Sequence, residues 1–137
     1  MQRFNFIQSK VEGKTILVAE DVASNYLFID ILLRSENYDV IHAMNGYEAV
    51  ETVRRQDVDL VLMDLKMPVM DGLTAIEKIR EFKPDLPIIV LTASILPSNR
   101  ETAFHVGCND YMTKPIDSKF LMETLSLIHI SEPTRRS

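Results

Sequence analysis

Five short apolar, β-branched runs recur along the chain, each separated from the next by a stretch of helix length. They are Thr15–Ala19, Val40-Ile41-His42-Ala43, Leu60-Val61-Leu62-Met63, Pro87-Ile88-Ile89-Val90-Leu91 and a weaker Asp110-Tyr111-Met112. The runs are nearly continuous in apolar residues rather than alternating. That predicts strands buried on both faces, as in a parallel sheet. Between the runs, apolar residues return at helical spacing. Tyr26, Ile29, Leu32 and Leu33 line one face of the first segment, Ala49, Val50 and Val53 mark the second, and Leu73, Ile76 and Ile79 the third. Ser118, Phe120, Leu121 and Leu125 predict a helix after the last strand. Gly46 and Asp71-Gly72 stand near helix starts, and Gly107 stands where a C-terminal cap belongs. The pattern is (βα)5, a three-layer α/β sandwich with right-handed crossovers.

The chain's 137 residues suit one domain with a single core. Hydrophobic residues at 46% and charged residues at 26% give an ordinary globular balance, not a disordered one. The apolar runs are too short to cross a bilayer, and residues 1–10 contain no signal-peptide core. A single cysteine, Cys108, excludes an internal disulfide and fits a reducing compartment, so the cytoplasm is expected. A net charge of −5 argues against direct nucleic-acid binding.

In open α/β sheets, sites form at the carboxyl ends of the strands. Here those ends carry Glu20-Asp21, Met44-Asn45, Asp64, Thr92-Ala93 and Thr113-Lys114-Pro115. Three carboxylates, a hydroxyl and an ammonium would therefore converge. Carboxylates so close repel one another and call for a cation. A hard divalent ion such as Mg2+ suits oxygen donors. Each feature has a plainer reading by itself. Glu20-Asp21 alone reads as solvated acids at a strand end, whereas Asp64, directly after a four-residue apolar strand, is harder to read that way. Thr92 alone is a β-branched strand residue, and Lys114 alone a surface lysine that could balance one carboxylate. A cis Lys114-Pro115 bond would fix the lysine's direction. Asp71-Gly72 after Met67-Pro68 reads as a turn into a helix. His42, His105 and His129 lack ligand spacing and read as structural or surface residues, the seven Met as core or loop filling, and Cys108 as a small buried apolar residue.

Taken together and in order, four segments resemble the receiver domains of bacterial two-component response regulators. They are Ile16-Leu17-Val18-Ala19-Glu20-Asp21, the stretch from Leu62-Met63-Asp64-Leu65-Lys66-Met67-Pro68 to Val69-Met70-Asp71-Gly72, Leu91-Thr92-Ala93, and Tyr111-Met112-Thr113-Lys114-Pro115. The resemblance covers residues 14–124. It implies a flavodoxin-like fold, a parallel five-stranded sheet of order 2-1-3-4-5. It also implies that Asp64 accepts a phosphoryl group from a phosphohistidine. Asp21 would ligate Mg2+ directly and Glu20 mostly through water, with Asp64 in the same metal set and Lys66 contributing its backbone carbonyl. Thr92 and Lys114 would hold the phosphoryl oxygens, and Tyr111 would be the switch aromatic. The implied partners are a histidine kinase or a histidine phosphotransfer domain, and a second copy through the fourth helix, fifth strand and fifth helix. No direct contact with nucleic acid or membrane is implied, although the domain could belong to a membrane-tethered hybrid kinase. Asn25 and the segment after Asp64 look like receivers of hybrid sensor kinases. The implied role is a signalling domain, not an enzyme, beyond self-catalysed phosphoryl transfer and slow autodephosphorylation.

Three rival readings share parts of this pattern. A haloacid-dehalogenase-like phosphatase also combines Asp, Thr, Lys and Mg2+, but its nucleophile follows the first strand in an Asp-x-Asp pattern, and here that strand ends Glu20-Asp21-Val22. A flavodoxin-like cofactor binder needs a phosphate loop after the first strand, where no glycine stands. A degenerate receiver would act by protein binding alone, against which every expected site residue is in place. Residues 1–13 read as an extension or linker. Residues 125–137 resemble translated sequencing-library adapter that completes the fifth helix with Leu125 and Ile128, and the helix is expected to end by about Ile130, ahead of Pro133.

Overall fold

The computed structural model describes residues 14–93 and 96–128. In chain order the elements are β1 (Thr15–Ala19), α1 (Ala23–Ser35), β2 (Asp39–Ala43), α2 (Gly46–Arg55), β3 (Leu60–Asp64), α3 (Gly72–Phe82), β4 (Ile88–Thr92), α4 (Pro97–Val106), β5 (Asp110–Thr113) and α5 (Ser118–Ile128). All four strand pairings are parallel, and the sheet order is β2-β1-β3-β4-β5. This is the (βα)5 sandwich and strand order expected. The expectations for residues 1–13 and for the chain after Ile128 lie outside the described residues.

The nearly continuous apolar runs work as anticipated, because successive side chains point to opposite faces and both faces are covered. Leu17, Ala19, Val61, Met63 and Val90 pack on one side against Ala49, Val50 and Val53 of α2 and Ala75, Ile76 and Ile79 of α3. Ile16, Val18, Leu60, Leu62, Ile89 and Leu91 face the other way, against Ile29 and Leu33 of α1 and Leu121 and Leu125 of α5. β3 and β4, central in the sheet, are buried along their whole length.

The starts of α2 and α3 are fixed by side-chain caps, as is that of α5, where Asp117 Oδ1 accepts from the Lys119 N–H at 2.9 Å. Asn45 Oδ1 accepts from the Glu48 N–H at 2.8 Å and Asp71 Oδ1 from the Thr74 N–H at 2.8 Å. Each such cap stabilises by about 1 kcal/mol. Gly107 closes α4 with φ at +124°, a conformation that favours glycine. Some expectations shift. Asp64 is the last residue of β3 rather than the first after it. β2 begins one residue early, since the Asp39 N–H donates to the Lys14 carbonyl at 2.9 Å. Phe120 faces solvent at 48% exposure, so the buried stripe of α5 is carried by Leu121, Thr124 and Leu125. Leu73 is only partly buried at the edge of the core.

Candidate functional site

The carboxyl ends of β1, β3, β4 and β5 meet at one edge of the sheet. The strand registers align Ala19 with Met63, Asp64 with Leu91, and Thr92 with Thr113. Residues just past those levels must therefore be neighbours. Carboxylate oxygens of Glu20, Asp21 and Asp64 all lie within 4.8 Å of one another. Glu20 is completely buried and Asp64 nearly so. Lys114 reaches in from the end of β5, its Nζ 2.6 Å from Glu20 Oε1 and 3.2 Å from Asp64 Oδ2. The sequence suggested that this lysine balances one carboxylate; it contacts two. Its backbone is anchored as well, because the Lys114 N–H donates to the Thr92 carbonyl at 2.8 Å. The Lys114-Pro115 bond is cis.

The charge count leaves a deficit: three carboxylates face one ammonium. Burial, and then the neighbouring Glu20 carboxylate, push the Asp64 carboxyl above its ordinary value, against the opposing pull of Lys114 and of a hydrogen bond from the Lys66 backbone. Burial pulls Lys114 down, but its close ion-pair contact with Glu20 and the charge of Asp64 outweigh that and hold it above the usual lysine value. Glu20 Oε1, although close to Lys114 as an ion pair, makes no hydrogen bond of good geometry. A buried, under-satisfied carboxylate oxygen amid hard oxygen donors fits a divalent cation of the Mg2+ type.

Beside the carboxylates opens a cleft of about 480 Å³, lined among others by Asp21, Lys66, Pro68 and Thr92. Thr92 is buried to 1% exposure at its wall. Tyr111, on β5, packs its ring against the α2–α3 side of the core and is partly buried.

The loop after β3 is shaped by two close approaches and one unusual turn. Gly72 N–H donates to the Leu65 carbonyl at 2.8 Å, and a Cβ at Gly72 would collide with the Asp64 carbonyl oxygen. Gly46 N–H likewise donates to the Met70 carbonyl at 2.9 Å, and a Cβ there would strike that same oxygen. Between them Val69, at φ +71°, is the middle of a γ-turn closed by the Met70 N–H on the Pro68 carbonyl at 2.7 Å. The backbone carrying Lys66 is thus pinned at both ends. The sequence pointed to Asp71-Gly72 as a turn into a helix, and the reason lies in this packing against Asp64.

One contact behind the cluster was not visible in the sequence. His42, read as structural or surface, places Nε2 2.7 Å from the backbone oxygen of Glu20. No spacing rule marks it, because the contact crosses between two strands.

The response regulator receiver domain family matches residues 16–126 of the chain. The transcriptional regulatory protein ZraR of Klebsiella oxytoca is 39% identical over 115 residues, covering 84% of this chain but 26% of ZraR. The chain thus spans about a quarter of that relative's length. Among solved structures, the receiver domain of sensor histidine kinase PA1611 from Pseudomonas aeruginosa PAO1, with a magnesium ion coordinated in its active site cleft, is 38% identical at a TM-score of 0.79. The match covers 84% of this chain and 96% of that one. The co-crystal structure of the Saccharomyces cerevisiae histidine phosphotransfer protein Ypd1 with the receiver domain of Ssk1 holds a chain 30% identical at a TM-score of 0.78. That match covers 85% of this chain and 88% of the other.

Proposed function

The chain belongs to the response regulator receiver domain family, and on that premise we propose that Asp64 is its phosphoacceptor and that Glu20, Asp21, Asp64 and the Lys66 carbonyl hold Mg2+. The observation that carries this reading is the convergence of three carboxylates within 4.8 Å of one another, with Lys114 on two of them.

Phosphoryl transfer demands positioning and charge neutralisation more than covalent help from the protein. The Asp64 carboxylate attacks the phosphorus of a phosphohistidine in line, and the histidine nitrogen leaves. Lys114 already sits on Asp64 Oδ2, where it can move to an equatorial phosphoryl oxygen as a point charge. Thr92 offers a hydroxyl from the cleft wall. Bound Mg2+ supplies neutralisation of the carboxylates and of the phosphoryl oxygens. The aspartyl phosphate adds negative charge at the end of β3, drawing Thr92 toward it and letting Tyr111 turn inward. The readout is a population shift between two arrangements of α4, β5 and α5.

The donor is a histidine kinase or a histidine phosphotransfer domain, a reading supported by the Ypd1 complex of the similar receiver. Exposed Leu96, Phe104 and Phe120 support pairing of two copies through the α4–β5–α5 face. Among the described residues no helix is long and apolar enough to cross a membrane, and the domain is proposed to work in the cytoplasm, alone or within a membrane-tethered hybrid kinase.

Incubation with acetyl phosphate and Mg2+ tests the assignment. The intact mass is expected to rise by one phosphoryl group in the wild type and to stay unchanged in Asp64→Asn. Equal labelling of both would refute Asp64 as the acceptor, and no labelling of either would point to a receiver that works by binding alone.

A further inference from the structure

Glu20 is the most deeply buried member of the acidic cluster, and its main chain must end a strand without leaving polar groups unpaired. A buried backbone carbonyl or N–H without a partner is costly, so each needs one. The Glu20 N–H continues the sheet ladder, donating to the Ala43 carbonyl at 3.1 Å. Its carbonyl has no such continuation, because past Ala43 the chain leaves the sheet and caps α2 with Asn45. The imidazole of His42 fills that position, with Nε2 2.7 Å from the Glu20 oxygen. A carbonyl only accepts, so Nε2 carries the proton.

The ring is itself held. It stacks flat on Tyr26 of α1, with centroids 3.6 Å apart and planes 9° from parallel. The Tyr26 hydroxyl donates to Asp30 Oδ1 at 3.2 Å, and Arg34 Nε holds the same oxygen at 2.8 Å. Arg34 then returns to β2 with a hydrogen bond to the Val40 carbonyl at 3.2 Å. The result is a closed circuit from β2 to α1 and back, with the His42 donor held on the backbone of Glu20.

We infer that His42, stacked on Tyr26, is a positioning residue that aims the Glu20 carboxylate into the metal-binding cluster through its hydrogen bond to the Glu20 backbone. This inference rests on the reading of Glu20, Asp21 and Asp64 as a Mg2+ site. Loss of an outer-shell partner typically weakens metal binding by about 10–100-fold. The lower end, about tenfold, is expected here, since Glu20 is one of three carboxylates.

Two variants separate the donor from the ring. His42→Phe keeps an aromatic ring for Tyr26 and removes the N–H. His42→Gln removes the ring and keeps an N–H donor. Calorimetric Mg2+ titration, at a temperature where amide spectra show every variant folded, is expected to give about tenfold weaker binding for His42→Phe. His42→Gln is expected to recover most of the loss, and the side-chain carboxyl carbon resonance of Glu20 is expected to shift in the Phe variant alone. A purely structural His42 would lower melting temperature in both variants and leave the affinity of the folded protein unchanged. Wild-type binding that His42→Phe does not alter would overturn the inference alone. Absence of saturable Mg2+ binding in the wild type would overturn the metal reading and the inference with it.

Discussion

Asp64 illustrates a conflict between stability and function at a single residue. Its carboxyl is raised above the ordinary value by burial and by Glu20. A carboxyl whose folded value is raised favours the protonated folded state. It therefore costs nothing below the ordinary Asp range, and its cost grows as pH rises through the folded value. Without divalent cations the folded protein carries such a cost above the ordinary Asp range. Asp64→Asn removes it and leaves Lys114 facing Glu20 as a matched pair. The variant is expected to melt above the wild type at pH 7, with the gap closing as pH falls toward the ordinary Asp range. Melting curves across that window, in chelator, check this. A wild type more stable than Asp64→Asn at pH 7 would show that Lys114 outweighs desolvation.

Among the elements, the β3–α3 loop carries the most constrained geometry. A Cβ at Gly72 would collide with the Asp64 carbonyl oxygen and come within 2.9 Å of Leu65 Cα. Both neighbours are backbone and cannot swing aside. Gly72→Ala is expected to destabilise by about 1–3 kcal/mol or more, readable as a lower urea midpoint at unchanged slope. Val69 presents the opposite case. Holding a residue with a Cβ at positive φ costs about 1–2 kcal/mol. Glycine would relieve that, while its greater freedom in the unfolded chain gives back about 0.5–1 kcal/mol. Val69 is 80% exposed, so little packing is lost. Val69→Gly is expected to be neutral or up to about 1.5 kcal/mol stabilising, the difference of those two effects. Marked destabilisation in the same urea experiment would mean that the γ-turn does not strain the chain.

At the scale of the molecule, the proposed phosphorylation would add charge at the end of β3, and β5 is the element that contacts lead to from there. The Lys114 side chain lies on Asp64, its N–H on the Thr92 carbonyl, and Tyr111 stands three residues back, on β5. On the proposed reading Lys114 would tie Asp64 to β5. Lys114→Ala is expected to be labelled at Asp64, more slowly than the wild type, but to leave the Tyr111 ring resonances where they are before labelling. A full wild-type shift of Tyr111 in the labelled variant would assign the coupling to Thr92 instead. The variant is also expected to lose stability, by less than the about 3–5 kcal/mol seen for a fully buried pair, because Lys114 keeps some exposure.

The strands, their burial on both faces and the list of groups at their carboxyl ends were legible in the sequence, because each follows from local runs such as Leu60-Val61-Leu62-Met63 and from a rule about where α/β sites form. The fourth helix left no apolar stripe to read, since Ala103 is its one buried residue. Phe120 misled for the converse reason: helical spacing says that residues share a face, not that a neighbour covers it. The acidic cluster could be anticipated as a set, but not that Lys114 would contact both Glu20 and Asp64, nor that Glu20 would be the wholly buried one. His42 could not be anticipated at all. Its role depends on where β2 leaves the sheet and on a Tyr26 ring delivered by another element. By itself, then, the sequence determined which residues reach the end of the sheet, since period and order along the chain are local properties. Tertiary structure alone decided which of them touch, because angstrom distances between groups on different strands are set by register, backbone approach and packing, none of which is written in any single segment.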